Sequence, residues 1–392
     1  MMNNTSSMNL NNLAAGQVYN NYRQLCSTLG VKPKTGEAKM IQIREFEKYV
    51  KYSRSGNKYI IEEILGYPDE LLDDAAKSSY TGLIKTLMLI KFIEAEDTSI
   101  STTYRQLFSE LHMVSEKYGD VYNRGLYKYF YNNVACVSKE VFYYFLRTLR
   151  GENKRKIKFA FDRMVDKGLM DYSEQMWVCY NYKDDNAKWI FAEPSDKEMV
   201  IYMGILQKLL AEYKCYSLGD VRRKNLSKQF NESLLEEILE KLNWKYTFQR
   251  LNIVGVRVKP RKGFTKEELD SVKSDCEERL NKAIKKMIDR IGKNNHNNAV
   301  RRLNEYGIGN EQIKEMIDWN TKVPRNLSDL LDRAKESYLL SWEALSDYFI
   351  AGDEEAAKKK GEELRGVVEQ GGSDDGSDNG GDGIDDPIEL EL

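Results

Sequence analysis

The sequence predicts a mainly α-helical protein with small β-hairpins, in the α+β class. The composition favours helix over sheet, since 31% of the 392 residues are charged and only 6 are Pro. Apolar residues recur at helical spacing through most of the chain. At two places a basic helical segment is followed by two short β-prone segments with a polar turn between them, which is the pattern of a hairpin.

Residues 16–66 are predicted to form a small N-terminal domain. Helical spacing indicates one helix within Gln17–Leu29 and a second, basic helix over Lys39–Tyr49. Strands are expected at Tyr49–Ser53 and Lys58–Ile64, on either side of a tight turn. Helix, basic helix and hairpin in this order are winged-helix-like. The candidate DNA-contacting residues of this domain are Lys39, Gln42, Arg44, Arg54 and Lys58.

The segment from Ser138 to Tyr180 carries the densest basic cluster, with nine basic and four acidic residues between positions 138 and 168. We predict two helices separated by a break at Gly151, then a hairpin, which together make a second winged-helix-like unit. Such a local excess of positive charge suits phosphate neutralisation. The helix Glu152–Lys167 is expected to enter a major groove, with the hairpin beside the DNA backbone. The alternative is a solvated helix face beside a core hairpin. The candidate contacts are Asn153, Lys154, Arg155, Lys156, Lys158, Arg163, Lys183 and Lys188.

The remaining boundaries follow from composition and spacing. Residues 78–194 are taken as a helical segment plus the central unit, 195–260 as a third winged-helix-like unit, and 264–350 as a helical region broken near Asn294–Asn298. The tandem winged-helix-like domains are therefore followed by a helical C-terminal region. The basic residues of Lys214–Lys228 either contact phosphate or begin an exposed helix, and the second interpretation is favoured. The tyrosines before residue 134 are expected to pack in the core or on the surface of the protein, and stacking on single-stranded bases is the less favoured alternative.

Charge is distributed unevenly along the chain. The formal net charge is −2, but residues 366–392 contain nine acidic and no basic residues, so residues 1–365 carry +7. Residues 1–15 and 366–392 are both predicted to be disordered. The acidic tail either competes with nucleic acid for the basic surface, docks on a replication or host protein, or only keeps the chain soluble.

Catalytic, metal-binding and membrane-spanning functions are not indicated. The five Cys are isolated and there are only two His, so no disulfide framework, metal site or cofactor is expected. The sequence contains no GxGxxG, P-loop, His-Glu-x-x-His or Gly-x-Ser-x-Gly pattern. With no signal peptide and no long apolar run, a cytoplasmic location is expected. A nuclease built on dispersed carboxylates stays open as a less favoured alternative.

Two segments resemble known groups of proteins. GQVYNNYRQLCSTLG at Gly16–Gly30, with TGEAKMIQIREFEKYVKYSRSGNKYIIEEI at Thr35–Ile64, resembles a segment of uncharacterised proteins of Gram-positive phages and plasmids. The central unit, Ser138–Tyr180, resembles the winged helices of plasmid and phage replication initiators and replisome organisers. The first resemblance implies an origin in a mobile element. The second implies binding to origin or operator DNA, with no catalytic residues.

We therefore predict a non-catalytic DNA-binding protein of a phage or plasmid, present in the cytoplasm of a bacterial host. Its expected role is replication initiation, replisome organisation or transcriptional regulation, and its expected partner is double-stranded DNA. The sequence leaves open whether the protein is a homodimer. The alternative is a protein-interaction adaptor, or a phage-encoded inhibitor of a host protein, that acts through the acidic tail.

Overall fold

The structure is a computed structural model. The protein is mostly helical, at 66%, with small antiparallel sheets, which confirms the predicted α+β class. Two units make up the chain: the first takes the described residues of Met1–Ser99, Arg105–Asp171 and Val254–Gly376, and the second those of Ile100–Tyr104 and Tyr172–Ile253. The described residues are 12–47, 49–65, 79–95, 99–120, 125–183, 188–224, 226–255, 265–305 and 325–370.

The secondary-structure elements are numbered here in chain order. The helices are α1 (Tyr22–Thr28), α2 (Gly36–Glu47), α3 (Tyr80–Glu94), α4 (Tyr104–Glu110), α5 (Leu126–Asn133), α6 (Lys139–Asp166), α7 (Asp196–Glu212), α8 (Leu218–Arg223), α9 (Ser227–Leu242), α10 (Lys266–Glu305), α11 (Arg325–Ala334), α12 (Glu336–Ser346) and α13 (Glu354–Gln370). A π-helical turn spans Asp347–Ala351. The strands are β1 (Val18–Tyr19), β2 (Val50–Ser55), β3 (Lys58–Ile64), β4 (Ser99–Thr102), β5 (Met170–Lys183), β6 (Trp189–Ala192) and β7 (Trp244–Gly255).

Residues 12–65, called the N-terminal module below, contain two helices and a three-stranded sheet of order β1-β3-β2. The first helix is shorter than predicted because Val18 and Tyr19 pair with β3 instead. Asn21 begins α1, and its side chain accepts a hydrogen bond from the Gln24 N–H. Residues 12–15 are not disordered as predicted, since Leu13 is buried in the module. Residues 1–11 lie outside the described part of the chain.

The helix α6 is the centre of a helical bundle in the first unit. Its apolar side, which includes Phe142, Phe145 and Leu149, is buried, and α3, α10 and α12 pack against it. The Trp342 ring on α12 lies 5.0 Å from the Phe145 ring, and its indole N–H donates to the Ile288 carbonyl of α10 at 2.9 Å. The bundle is thus joined across long sequence distances.

The predicted break at Gly151 is wrong, because α6 runs without interruption from Lys139 to Asp166. One glycine inside a helix costs only about 1 kcal/mol relative to alanine, while buried residues on both sides of it hold the helix in the bundle. Beyond Gly151, Phe161 is fully buried and Phe159 is 52% exposed. The break predicted near Asn294–Asn298 is likewise absent, since Ala299 and Leu303 continue the buried stripe of α10.

The C-terminal helices are part of the bundle and not a separate region of residues 264–350. Helix α10 packs against α3 and α6, and α12 packs against α6 and α13. Helix α13 extends to Gln370, so residues 366–370 are helical where disorder was predicted. Residues 371–392, which hold most of the acidic tail, lie outside the described residues.

The second unit has a four-stranded sheet of order β4-β7-β5-β6 and the helices α7, α8 and α9. Its core contains Val178, Tyr202, Phe230, Ile238 and Trp244. The strands β5 and β6 therefore belong with α7–α9. The boundary lies at residues 171/172, not at 194/195 as predicted. After α9 the chain continues as one long strand, β7.

Two glycines on helices test the continuity and packing of the bundle. A Cβ added at Gly151 would meet no atom within 4 Å, so Gly151→Ala should raise the free energy of unfolding by about 0.5–1 kcal/mol. A Cβ at Gly361 would lie 2.1 Å from the Val134 carbonyl oxygen, so Gly361→Ala should lower the free energy of unfolding by about 1–3 kcal/mol. Urea denaturation measures both changes. A loss of stability in Gly151→Ala would contradict the continuous helix.

Candidate nucleic-acid interface

In the N-terminal module, two of the predicted contact residues hold the helices together. The Tyr22 hydroxyl donates to the Gln42 side-chain oxygen, and the Gln42 amide donates to the Lys32 carbonyl at 3.3 Å. The Lys39 ammonium lies 4.7 Å from the centre of the Tyr22 ring. Gln42 and Lys39 are half-buried, so their contacts orient α2 against α1.

Burial keeps the Tyr22 hydroxyl protonated. Desolvation, and to a smaller degree the neighbouring Cys26, raise the pKa of Tyr22 to about 12. The hydroxyl is therefore a hydrogen-bond donor throughout the physiological pH range. The orientation of α2 does not depend on pH through this contact.

The other three predicted residues of the module are exposed. Arg44 lies on α2, and Arg54 and Lys58 flank the turn between β2 and β3, where Ser55 pairs with Lys58 and Arg54 with Tyr59. The Arg54 guanidinium stands 5.1 Å from the centre of the Tyr59 ring. Residues 12–65 contain nine Lys or Arg and five Glu. The module thus combines an excess of positive charge with exposed cations on both α2 and the hairpin.

In the central segment, the structure corrects the role of Asn153. This side chain is fully buried in the bundle, and neither its amide nitrogen nor its oxygen has a hydrogen-bond partner among the described residues. It lies between Leu149 and Ile157 on the inner stripe of α6, one helical turn from each. Asn153 therefore cannot reach DNA without opening the bundle.

The basic side chains of α6 lie on a stripe of mixed charge. Arg155 forms an ion pair with Glu152 at 2.5 Å, and the half-buried Lys156 lies 4.5 Å from the centre of the Tyr80 ring. Lys154 is half-buried and Lys158 is exposed. Asp162 and Asp166 are exposed on the same helix, so carboxylates accompany these cations at the surface.

Arg163 lies at the edge of a small cavity between α3 and α6. Its guanidinium is 5.3 Å from the centre of the exposed Phe159 ring. The cavity has a volume of about 140 Å³, and Lys85 and Lys167 line it together with Arg163. Arg163 is thus one of three basic residues that line this cavity.

The two hairpin lysines belong to the second unit. Lys183 and Lys188 are exposed at the adjoining ends of β5 and β6. The Lys183 ammonium lies 5.0 Å from the centre of the Trp189 ring. The turn at residues 184–187 lies outside the described residues. The structure therefore brings Lys183 together with an aromatic ring and assigns both lysines to a different unit from α6.

Two groups of exposed residues were not among the predicted sites. The first is at the end of α8 and the start of α9, where Arg222, Arg223, Lys224 and Lys228 are exposed. This cluster is visible in the sequence, but its pattern favours the start of an exposed helix. The second is a sheet face that carries Trp189 and Phe191 beside Lys245; its signal in the sequence is the alternation of Trp189 and Phe191 along β6.

Comparison with family models, with curated proteins and with solved structures finds no match for this chain. In the part of the chain that the structure describes, no group of three or more His, Cys, Asp or Glu side chains is placed to hold a metal ion. None of the described helices is both long enough and apolar enough to cross a membrane.

The burial of Asn153 can be tested by substitution. Replacing the unpaired amide by an apolar side chain of similar size, Asn153→Leu, should raise the free energy of unfolding by about 1 kcal/mol or more. Asn153→Asp should be strongly destabilising, because it buries a charge. Chemical denaturation measures both. If Asn153→Leu lowers stability while Asn153→Asp is tolerated, the side chain faces water.

Proposed function

We propose that the protein is a non-catalytic DNA-binding protein and that its N-terminal module binds duplex DNA in the manner of a winged helix. One observation carries this proposal. The module contains two helices and one sheet of order β1-β3-β2, in which the short strand β1 pairs with the hairpin of β2 and β3. Exposed cations lie on the second helix and at the hairpin. In this arrangement, α2 enters the major groove and the hairpin lies along the backbone.

The size and surface of α2 suit this role. Its twelve residues span about 18 Å, and a major groove about 12 Å wide admits a helix. Arg44 is exposed for contact with phosphate or guanine, and Met40 and Ile41 are exposed for apolar contact with thymine methyl groups. Arg54 and Lys58 supply phosphate contacts from the hairpin. Lys39 and Gln42 orient the helix.

A second duplex contact is supported at the junction of α8 and α9. Ser217 begins α8, its side chain accepting from the Asp220 N–H. The four exposed cations Arg222, Arg223, Lys224 and Lys228 follow within twelve residues. Arg223 is paired with Asp220, which leaves Arg222 and Lys228 better placed for phosphate. The central helix α6 is the scaffold of the bundle in this proposal, and not the recognition helix that the sequence predicts.

The biological role that we propose follows the two resemblances found in the sequence. These favour replication initiation, replisome organisation or transcriptional regulation in a phage or plasmid, within a bacterial host cell. Binding to the origin of the element would support a replication role, and binding to an operator would support regulation. The acidic tail would then limit non-specific binding, because it repels phosphate and competes for the basic surface.

An adaptor function is the second candidate, and one surface favours it. Helix α7 exposes Val200, Ile201 and Met203 to solvent. An exposed apolar patch of this kind is typical of a protein-binding surface. A protein that binds no duplex in a mobility-shift assay, with or without residues 366–392, would fit the adaptor and not the DNA-binding proposal.

The salt dependence of duplex binding separates the candidate surfaces. The triple variant Arg44→Ala, Arg54→Ala, Lys58→Ala should weaken binding and flatten the slope of log K against log [salt] by about 0.9 for each phosphate that is no longer neutralised. The matched triple variant on α6, Arg155→Ala, Lys158→Ala, Arg163→Ala, removes the same charge and should leave affinity and slope near those of the unaltered protein. Fluorescence anisotropy between about 50 and 200 mM salt measures both. A greater weakening of binding by the α6 triple variant would sink the proposal.

A further inference from the structure

The sheet of the second unit has two faces of different character. On one face, Val178, Trp244 and the residues around them pack on α7 and α9, and the Trp244 ring lies 5.6 Å from that of Tyr202 on α7. Side chains alternate along a strand. Trp177 is next to Val178 on β5, and Phe191 on β6 pairs with Cys179, so both point away from these helices. Phe248 on β7 lies on the same side, because its ring contacts those of Phe191 and Trp177. We call this side the outer sheet face.

Aromatic rings make a continuous row across the outer sheet face. The Phe248 ring centre lies 5.8 Å from that of Phe191 and 6.5 Å from that of Trp177. Trp189 is two residues from Phe191 on the same strand and the same face. Phe191 is 45% exposed and Trp189 is 38% exposed. Rings of this size so close together and so open to water are uncommon unless a ligand uses them.

Cations accompany the rings. The Lys245 ammonium lies 3.8 Å and the Lys183 ammonium 5.0 Å from the centre of the Trp189 ring. The Arg250 guanidinium lies 4.3 Å from the centre of the Trp177 ring. The sequences of β6 and β7 contain no Asp or Glu. The face therefore carries positive charge beside its aromatic surface, which a purely apolar protein partner would not need.

We propose that the outer sheet face binds single-stranded nucleic acid. Bases stack on Phe191 and on the open part of Trp189, and Lys183, Lys188 and Lys245 lie beside the phosphates. Phe191 is the main stacking residue, because Lys245 covers part of the Trp189 ring. A duplex does not fit this surface, since the faces of its bases are covered by their neighbours in the stack. This site is separate from the duplex site proposed on the N-terminal module.

The test uses the full chain and two fluorescent single strands of about 20 nucleotides, one of deoxythymidine and one of uridine. Phe191→Ala should weaken binding by about five- to a hundredfold, the effect expected when one base can no longer stack. Lys245→Ala should lower the salt slope by about 0.7. Affinity for duplex should not change in either variant. Preference for one strand identifies the nucleic acid as DNA or RNA, and either preference supports the site.

The matched control is Phe159→Ala on α6. Phe159 is also exposed, at 52%, and also lies beside a cation, Arg163, at 5.3 Å, but within the described part of the chain no second aromatic ring contacts it. This variant should bind both strands as the unaltered protein does. The site is overturned if the unaltered protein binds neither strand at low salt, if Phe191→Ala and Lys245→Ala both bind normally, or if Phe159→Ala weakens binding as much as Phe191→Ala. Single-strand binding that persists in the Arg44, Arg54, Lys58 variant would show that the two sites are independent.

Discussion

The burial of one side of α6 is the constraint on which the rest of the structure depends. Phe145, Leu149, Ile157 and Phe161 all face the bundle, and they do so because the helix is not interrupted at Gly151. This fixes Asn153 in the interior and leaves the lysines and arginines of the helix on a stripe shared with carboxylates. The most basic stretch of the sequence is therefore also a central helix of the bundle, with one side in the core.

The two surfaces that we propose for nucleic acid both lie on the solvent side of a small packed unit. In the N-terminal module, Tyr22 and Gln42 fix the angle between α1 and α2, so that Arg44 is held on a rigid helix. In the second unit, the helices α7 and α9 cover only one face of the sheet, and the rings of the other face remain open to solvent. The two surfaces differ in chemistry: exposed cations on a helix and a hairpin suit the phosphates of a duplex, whereas exposed rings suit unpaired bases.

Local signals made much of the fold predictable. The hairpin of β2 and β3 was expected from the turn at residues 54–57, and the helix expected over Lys39–Tyr49 is close to the observed α2. Long-range packing was not predictable in this way. Gly151 looked like a break because glycine is a poor helix former, but contacts with residues more than 100 positions away outweigh that preference. The prediction that Asn153 contacts DNA failed for the same reason. Leu149, Asn153 and Ile157 lie on one buried side only if the helix is continuous. The helices of the second unit determine which face of the sheet is exposed. The alternation of side chains along β5 does not by itself predict which face these helices cover.

Hydrogen exchange of the full chain, measured with and without a bound duplex, tests the central claim most directly. If the N-terminal module holds the duplex, amides within residues 36–64 should exchange more slowly in the complex, because bound DNA restricts opening of α2 and the hairpin. Amides of residues 150–167 should exchange at the same rate in both states. Protection confined to residues 150–167, with none in residues 36–64, would contradict the account and return the recognition role to the central helix.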